Sequence, residues 1–162
     1  MSNVLIGIIG VILFIGLALA GALILGDDFT SARIDSRATL VVTRLQQMQS
    51  AIEMHRLKTG SPLMVQAGLQ SLVPRFLKVV PDNPTRGTPP YLSNETGDGT
   101  GTAMYVTFPL IDQAEAICRA IVVQTGMAPD GVIPRGEVTG PQHPIGCTYN
   151  GGTSYTAYAK FR

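Results

Sequence analysis

The stretch VLIGIIGVILFIGLALAGALIL, residues 4–25, decides the reading of this chain. Every position is Ile, Leu, Val, Ala, Gly or Phe, with no charged residue and no proline. At a rise of about 1.5 Å per residue, a helix of that length crosses a hydrocarbon core about 30 Å thick. A helix that is apolar on every side does not suit the surface of a small soluble domain. The run therefore predicts a transmembrane or otherwise fully buried helix over residues 1–26, with Val4, Leu5, Ile8, Val11 and Ile15 as its contact residues. Gly16 and Ala20, four apart, let a neighbouring helix backbone approach closely. A cleaved signal peptide needs a basic start and an apolar core of roughly 7–15 residues. Met1, Ser2 and Asn3 supply no base and the run is longer, so the segment is expected to stay on the chain.

Beyond it, Gly26-Asp27-Asp28 is expected to break or bend the helix, with Asp28 or Thr30 capping a new start. Residues 31–58 then change from uniformly apolar to striped. Ile34, Ala38, Val41, Leu45, Met48, Ile52 and His55 alternate steps of four and three, which sets them along one helix face. Arg33, Arg37, Arg44, Gln47, Glu53 and Arg56 fall mostly elsewhere. Lys58, Gly60 and Pro62 end the helix. The seam must lie against the remainder of a globular domain spanning residues 27–162.

That remainder reads as small and mixed. Residues 66–73 suit a short helix ended by Pro74. Residues 81–101 are rich in Pro, Gly, Asn, Asp and Thr and read as a loop with little core. Residues 104–108 favour a strand. Residues 111–124 form an amphipathic helix with Ile111, Ala114, Ile117, Cys118, Ile121 and Val122 on its apolar side, and 126–144 is again loop. Cys147 to Tyr149, the turn Asn150-Gly151-Gly152 and residues 154–161 read as a β-hairpin. In its last strand Tyr155, Ala157 and Ala159 alternate with Thr156, Tyr158 and Lys160, the pattern of a half-buried strand. The fold class is α+β: a long N-terminal helix packed on a small antiparallel sheet.

Composition narrows the function classes. Only 14% of the 162 residues are charged, against roughly 25% in an average soluble domain. A net charge of +1 leaves no basic stripe to displace counterions, so no nucleic-acid site is read. The two cysteines, Cys118 and Cys147, lack CxxC or His-containing metal spacing. In a small domain outside the cytoplasm they read as a disulfide bounding residues 118–147; two unrelated buried thiols in a cytosolic domain is the alternative.

The order of parts resembles that of type IV pilins and pseudopilins. The closest local likeness is GLQSLVPRFLKVVPDNP, residues 68–84, where Leu72, Val73, Pro74, Phe76, Leu77, Lys78, Pro81, Asp82 and Pro84 match a run common in that family after its long helix. Leu45 through Gly60-Ser61-Pro62 is similar to the family's end of that helix. Cys118 on a second helix and Cys147 by a late strand look like the type IVb branch. The resemblance implies a structural subunit that polymerises through its N-terminal helix into an extracellular, cell-surface filament, a helical homo-oligomer. Before assembly the subunit is expected in the inner membrane, in contact with the lipid bilayer and the assembly machinery. One departure is that the family's glutamate near the start of the apolar segment is replaced here by Leu5. Either a leader has been removed and Met1 is the mature first residue, or the chain is processed differently or not at all.

Catalytic and metal chemistry finds no convergent set. His55 lies on the helix seam and His143 in a loop, without HExxH or His–Cys spacing. Ser61, Ser71 and Ser154 lack the GxSxG context of a nucleophile. Asp98-Gly99-Thr100-Gly101 has no second aspartic-protease loop to match it. Asn94-Glu95-Thr96 fits a glycosylation acceptor, and Asp82 and Asp98 read as solvated turn acids rather than calcium ligands. No enzyme, cofactor or metal is expected. The alternative to the filament is a membrane-anchored binding protein that does not polymerise, or a pseudopilin of a secretion system.

Overall fold

A computed structural model describes residues 2–94, 101–102, 104–136 and 143–161, excluding the side chains of 2–6 and 22–27. Several sequence expectations therefore lie wholly or partly outside the described residues: the contacts of Val4 and Leu5, the Asn94-Glu95-Thr96 and Asp98-Gly99-Thr100-Gly101 motifs, and part of the 126–144 loop. The chain divides into two compact units, Met1–Arg33 and Ile34–Arg162.

The first helix, α1, spans Ser2–Thr59. Gly26-Asp27-Asp28 does not end it, contrary to expectation. A mid-helix glycine costs about 1 kcal/mol relative to alanine and aspartate less, too little to stop a helix with strong formers on both sides. The terminator lies where the sequence put it. Arg56 and Lys58 occupy the last turn, and Gly60, at φ 69°, donates its N–H to the Arg56 carbonyl at 2.9 Å. The left-handed conformation favours glycine, and the cations face the negative end of the helix dipole.

In the first unit the described side chains from Ile8 to Leu19 are exposed. Among the described residues, no helix is long and apolar enough to cross a membrane. The transmembrane reading of residues 1–26 therefore has no support among the described residues, and part of its apolar run, 4–6 and 22–25, lies outside the described side chains.

In the second unit the helix seam becomes a core. Ala38, Val41, Leu45 and Met48 are fully buried, Ile52 nearly so, while Ile34 and His55 are half-buried at the ends. They share one apolar cluster with a four-stranded antiparallel sheet of order β1-β2-β4-β3 and with helix α2. The strands are β1 (Tyr91–Ser93), β2 (Tyr105–Leu110), β3 (Ile145–Gly151) and β4 (Ser154–Lys160); α2 is Ala114–Gln124. The register sets Val106 and Ile145 opposite Ala159, Phe108 and Cys147 opposite Ala157, and Leu110 and Tyr149 opposite Tyr155. This face of the sheet meets the helices. The result is a two-layer α+β fold.

Four local readings change. Strand β4 is buried on both faces rather than one: Thr156, Ala157, Tyr158 and Ala159 are all covered, with Met127 and the Tyr105 ring against Tyr158 and the Asn150 amide donating to the Thr156 hydroxyl. Residues 66–73 form two 3-10 turns, Val65–Ala67 and Leu69–Leu72, rather than one short helix; Gly68 between them sits at φ 65°. Helix α2 begins three residues later than expected, at a left-handed Gln113 (φ 54°), which leaves Ile111 60% exposed outside it. The described part of the 81–101 segment, residues 81–94, is not a coreless loop, for Thr85 and Leu92 are buried. The Asn83 amide donates to the Thr88 and Pro109 carbonyls at 2.9 and 2.7 Å, and its oxygen accepts from the buried Thr85 hydroxyl at 2.8 Å. That knot holds the chain against β2, so that Tyr91–Ser93 can pair as the edge strand.

Candidate assembly surface

Helix propensity alone explains why residues 7–21 are helical; it does not explain what they face. Ile8, Ile9, Val11, Ile12, Leu13, Phe14, Ile15, Leu17 and Leu19 are each between 52% and 74% exposed. They fill seven of the eight positions from 8 to 15, Gly10 being the exception, and then 17 and 19, a set too dense to share one stripe on a helix of 3.6 residues per turn.

 Gly7, Gly10, Gly16 and Gly21 leave open space: a Cβ at any of them would meet nothing within 4 Å. Ala20 is exposed as well. Residues 7–21 thus present a charge-free, all-round apolar surface with gaps that permit close backbone approach.

The second unit carries a groove of about 740 Å³ between the 43–54 face of α1 and residues 76–82. Thr43, Gln47, Ala51 and Met54 form the helix wall, and Phe76, Leu77, Val79 and Val80 the other. Two contacts hold the walls in place. The Arg44 guanidinium donates to the Asp82 carbonyl, and the Phe76 ring meets His55 edge-on at 5.2 Å with the Lys58 ammonium 5.9 Å from its centroid. No family model, curated protein or solved structure matches this chain.

The opposite part of the unit is pinned covalently. Cys118 on α2 and Cys147 on β3 form a disulfide, both sulfurs buried, with Cα atoms 5.4 Å apart. Beside it lies a polar cleft of about 400 Å³ lined by Glu115, Arg119, Arg135, Tyr149 and Tyr155, among others. Glu115 and Arg119 pair at 3.2 Å one helical turn apart, and Arg135 lies 5.9 Å from the Tyr149 ring centroid. Burial first, then the Glu115 carboxylate, pushes the Tyr155 phenol above its ordinary range.

His55 Nδ1 is buried without a hydrogen-bond partner among the described residues. The Ser71 hydroxyl donates to the Gly68 carbonyl at 2.8 Å, and Ser61 and Ser154 are exposed. Among the described residues, no group of three or more His, Cys, Asp or Glu is placed to hold a metal ion. The groove was missed from the sequence, because its second wall is an irregular segment whose position depends on tertiary contacts. The only local signal was the Pro81-Asp82-Asn83-Pro84 run, which favours extended backbone.

Proposed function

We propose that this chain is a structural subunit that polymerises through its apolar N-terminal helix into a type IV pilus-like filament at the cell surface. The observation that carries the reading is the exposure of nine large apolar side chains on residues 8–19. Fully burying such a side chain contributes roughly 1.5–3 kcal/mol. At half to three-quarters exposure, nine of them leave on the order of 10 kcal/mol of burial unrealised in the isolated chain. Because they face all sides, one flat partner cannot cover them, whereas a bundle of identical helices can. The disulfide and the sheet suit a domain that stays folded outside the cytoplasm. Before assembly, inner-membrane lipid and the assembly machinery would cover the same surface. The role is structural rather than catalytic.

The test is electron microscopy of material sheared from cells with and without the gene. Filaments that vanish with the gene and contain this chain by mass spectrometry support the reading. A sheared fraction without filaments, with the chain confined to the cell pellet, would replace it with a non-polymerising binding protein or a pseudopilin.

A further inference from the structure

We propose that Asn150 is a site of spontaneous chemical modification, where the Gly151 nitrogen closes a succinimide ring on the Asn150 side chain and water opens it to aspartate and isoaspartate. The chain and water supply every atom. The bond from Gly151 N to Asn150 Cγ forms, the Cγ–Nδ2 bond breaks, and the proton of the Gly151 amide leaves with Nδ2 as ammonia. Water then breaks the bond from Gly151 N to Cγ, giving aspartate, or the bond from Gly151 N to the Asn150 main-chain carbonyl carbon, giving isoaspartate.

The chain holds four asparagines, Asn3, Asn83, Asn94 and Asn150, and the last alone meets the needs of this reaction. Pro84, after Asn83, has no N–H to lose, and the Asn83 amide is tied to the Thr88 and Pro109 carbonyls. Asn94 is buried and precedes Glu95. Asn3 precedes Val4, whose stiff, branched side chain crowds the attacking nitrogen. Asn150 precedes Gly151, which has no Cβ in the path of attack.

The fold presents this pair rather than hiding it. Asn150 is exposed and is the extra residue of a β-bulge: Tyr149 pairs with Tyr155 and Gly151 with Ser154, which leaves Asn150 no opposite residue. Gly151, at φ 102°, belongs to the last pair of the ladder before the Gly152-Thr153 turn. Opening that single pair frees its nitrogen, at the end of the hairpin where fraying costs least. The Thr148 hydroxyl donates to Asn150 Oδ1 at 3.3 Å, the oxygen on which negative charge gathers as Cγ is attacked. Asn150 Nδ2 donates to the Thr156 hydroxyl at 3.0 Å. A hydroxyl both donates and accepts, so Thr148 and Thr156 can each donate to the carboxylate of the aspartate product. Either product adds one negative charge beside the turn and takes the formal net charge from +1 to 0.

The experiment incubates the purified full chain in detergent at mildly alkaline pH, folded and with its disulfide intact, beside the same chain unfolded in guanidinium. Reduction, alkylation and trypsin after the incubation release residues 136–160 as one peptide for mass spectrometry. Expected in the folded chain is the mass gain of amide to acid at Asn150, in two products, one of them a substrate for isoaspartyl methyltransferase. The rate should rise with pH, because the amide nitrogen attacks in its deprotonated form, and the peptide holding Asn83 should not change. Thr148→Val, of nearly the same shape, should slow conversion severalfold in the folded chain and leave the unfolded rate unchanged. Conversion in guanidinium with none in the folded chain would mean that the hairpin protects Asn150, and overturns the proposal; no conversion in either overturns it as well. Equal folded rates for the parent and Thr148→Val overturn the part given to the Thr148 hydroxyl.

Discussion

Leu17→Arg separates folding from assembly, because Leu17 is 74% exposed in the isolated chain. The substitution removes little that the chain itself uses, so the disulfide should form and the stability of the Ile34–Arg162 unit should stay within about 0.5 kcal/mol of the parent. Assembly is different. Covering the exposed part of a leucine contributes about 1.5 kcal/mol, taking about 2 kcal/mol for the whole side chain. Placing an unpaired arginine in an apolar helix environment costs about 2.5–3.5 kcal/mol on insertion scales. The sum, about 4–5 kcal/mol, lowers subunit association on the order of a thousandfold at 1.4 kcal/mol per factor of ten. Co-expressing variant and parent chains and measuring their ratio in sheared filaments by mass spectrometry reads this directly. The variant should fall below about 1% of filament subunits while matching the parent in the cell pellet, and Val132→Arg should enter normally. Leu17→Arg incorporated in proportion to its expression would refute burial of this helix in the filament.

Three further outcomes follow from the second unit. Replacing both Cys118 and Cys147 by alanine opens a loop of sequence separation 29 and should lower stability by about 3–4 kcal/mol in the chain-entropy model. Urea denaturation of the full chain in detergent measures it, and a loss below about 1 kcal/mol contradicts it. Gly146→Ala should destabilise by about 1–3 kcal/mol through overpacking, since its Cβ would lie 2.7 Å from the Tyr158 hydroxyl and would also meet the Met127 sulfur; an unchanged melting temperature counts against this packing. Burial, then the neighbouring Tyr105, pushes the Tyr158 phenol from 10.0 up to about 12. Between those values the unfolded chain releases a proton that the folded chain keeps, so this contribution is complete below pH 10 and is lost as pH rises towards 12. Melting temperature should fall more steeply over that window in the parent than in Tyr158→Phe; parallel curves would argue against it.

What the sequence made legible followed from spacing. The four-three steps from Ile34 to Ile52 define one helix face, and that face is buried. The hairpin itself was legible, but its turn falls at Gly152-Thr153 rather than Asn150-Gly151-Gly152, because Asn150 and Gly151 extend β3 and Gly151 pairs with Ser154. What stayed hidden depends on partners distant in the chain. Three residues, Tyr91–Ser93, are too few to show a period of two, and they form a strand only because Asn83 and Thr85 tie their approach to Pro109. The burial of Thr156 and Tyr158 follows from Asn150, Met127 and Tyr105 lying against them, which the alternation within the strand cannot indicate. The groove likewise exists only once residues 76–82 lie beside α1.

The same long helix poses two different packing problems. After Ile34 its apolar residues form a stripe, and one sheet with one short helix is enough to cover it. Before that point the apolar residues surround the helix, so no single layer within a 162-residue chain supplies the area on every side. On the proposed filament reading, further copies supply that area, and the two patterns divide the work: the stripe fixes a folded unit that the disulfide holds closed, and the all-round segment would couple such units. A substitution in the stripe should act on stability, and one in the all-round segment on assembly, with little crossover between them.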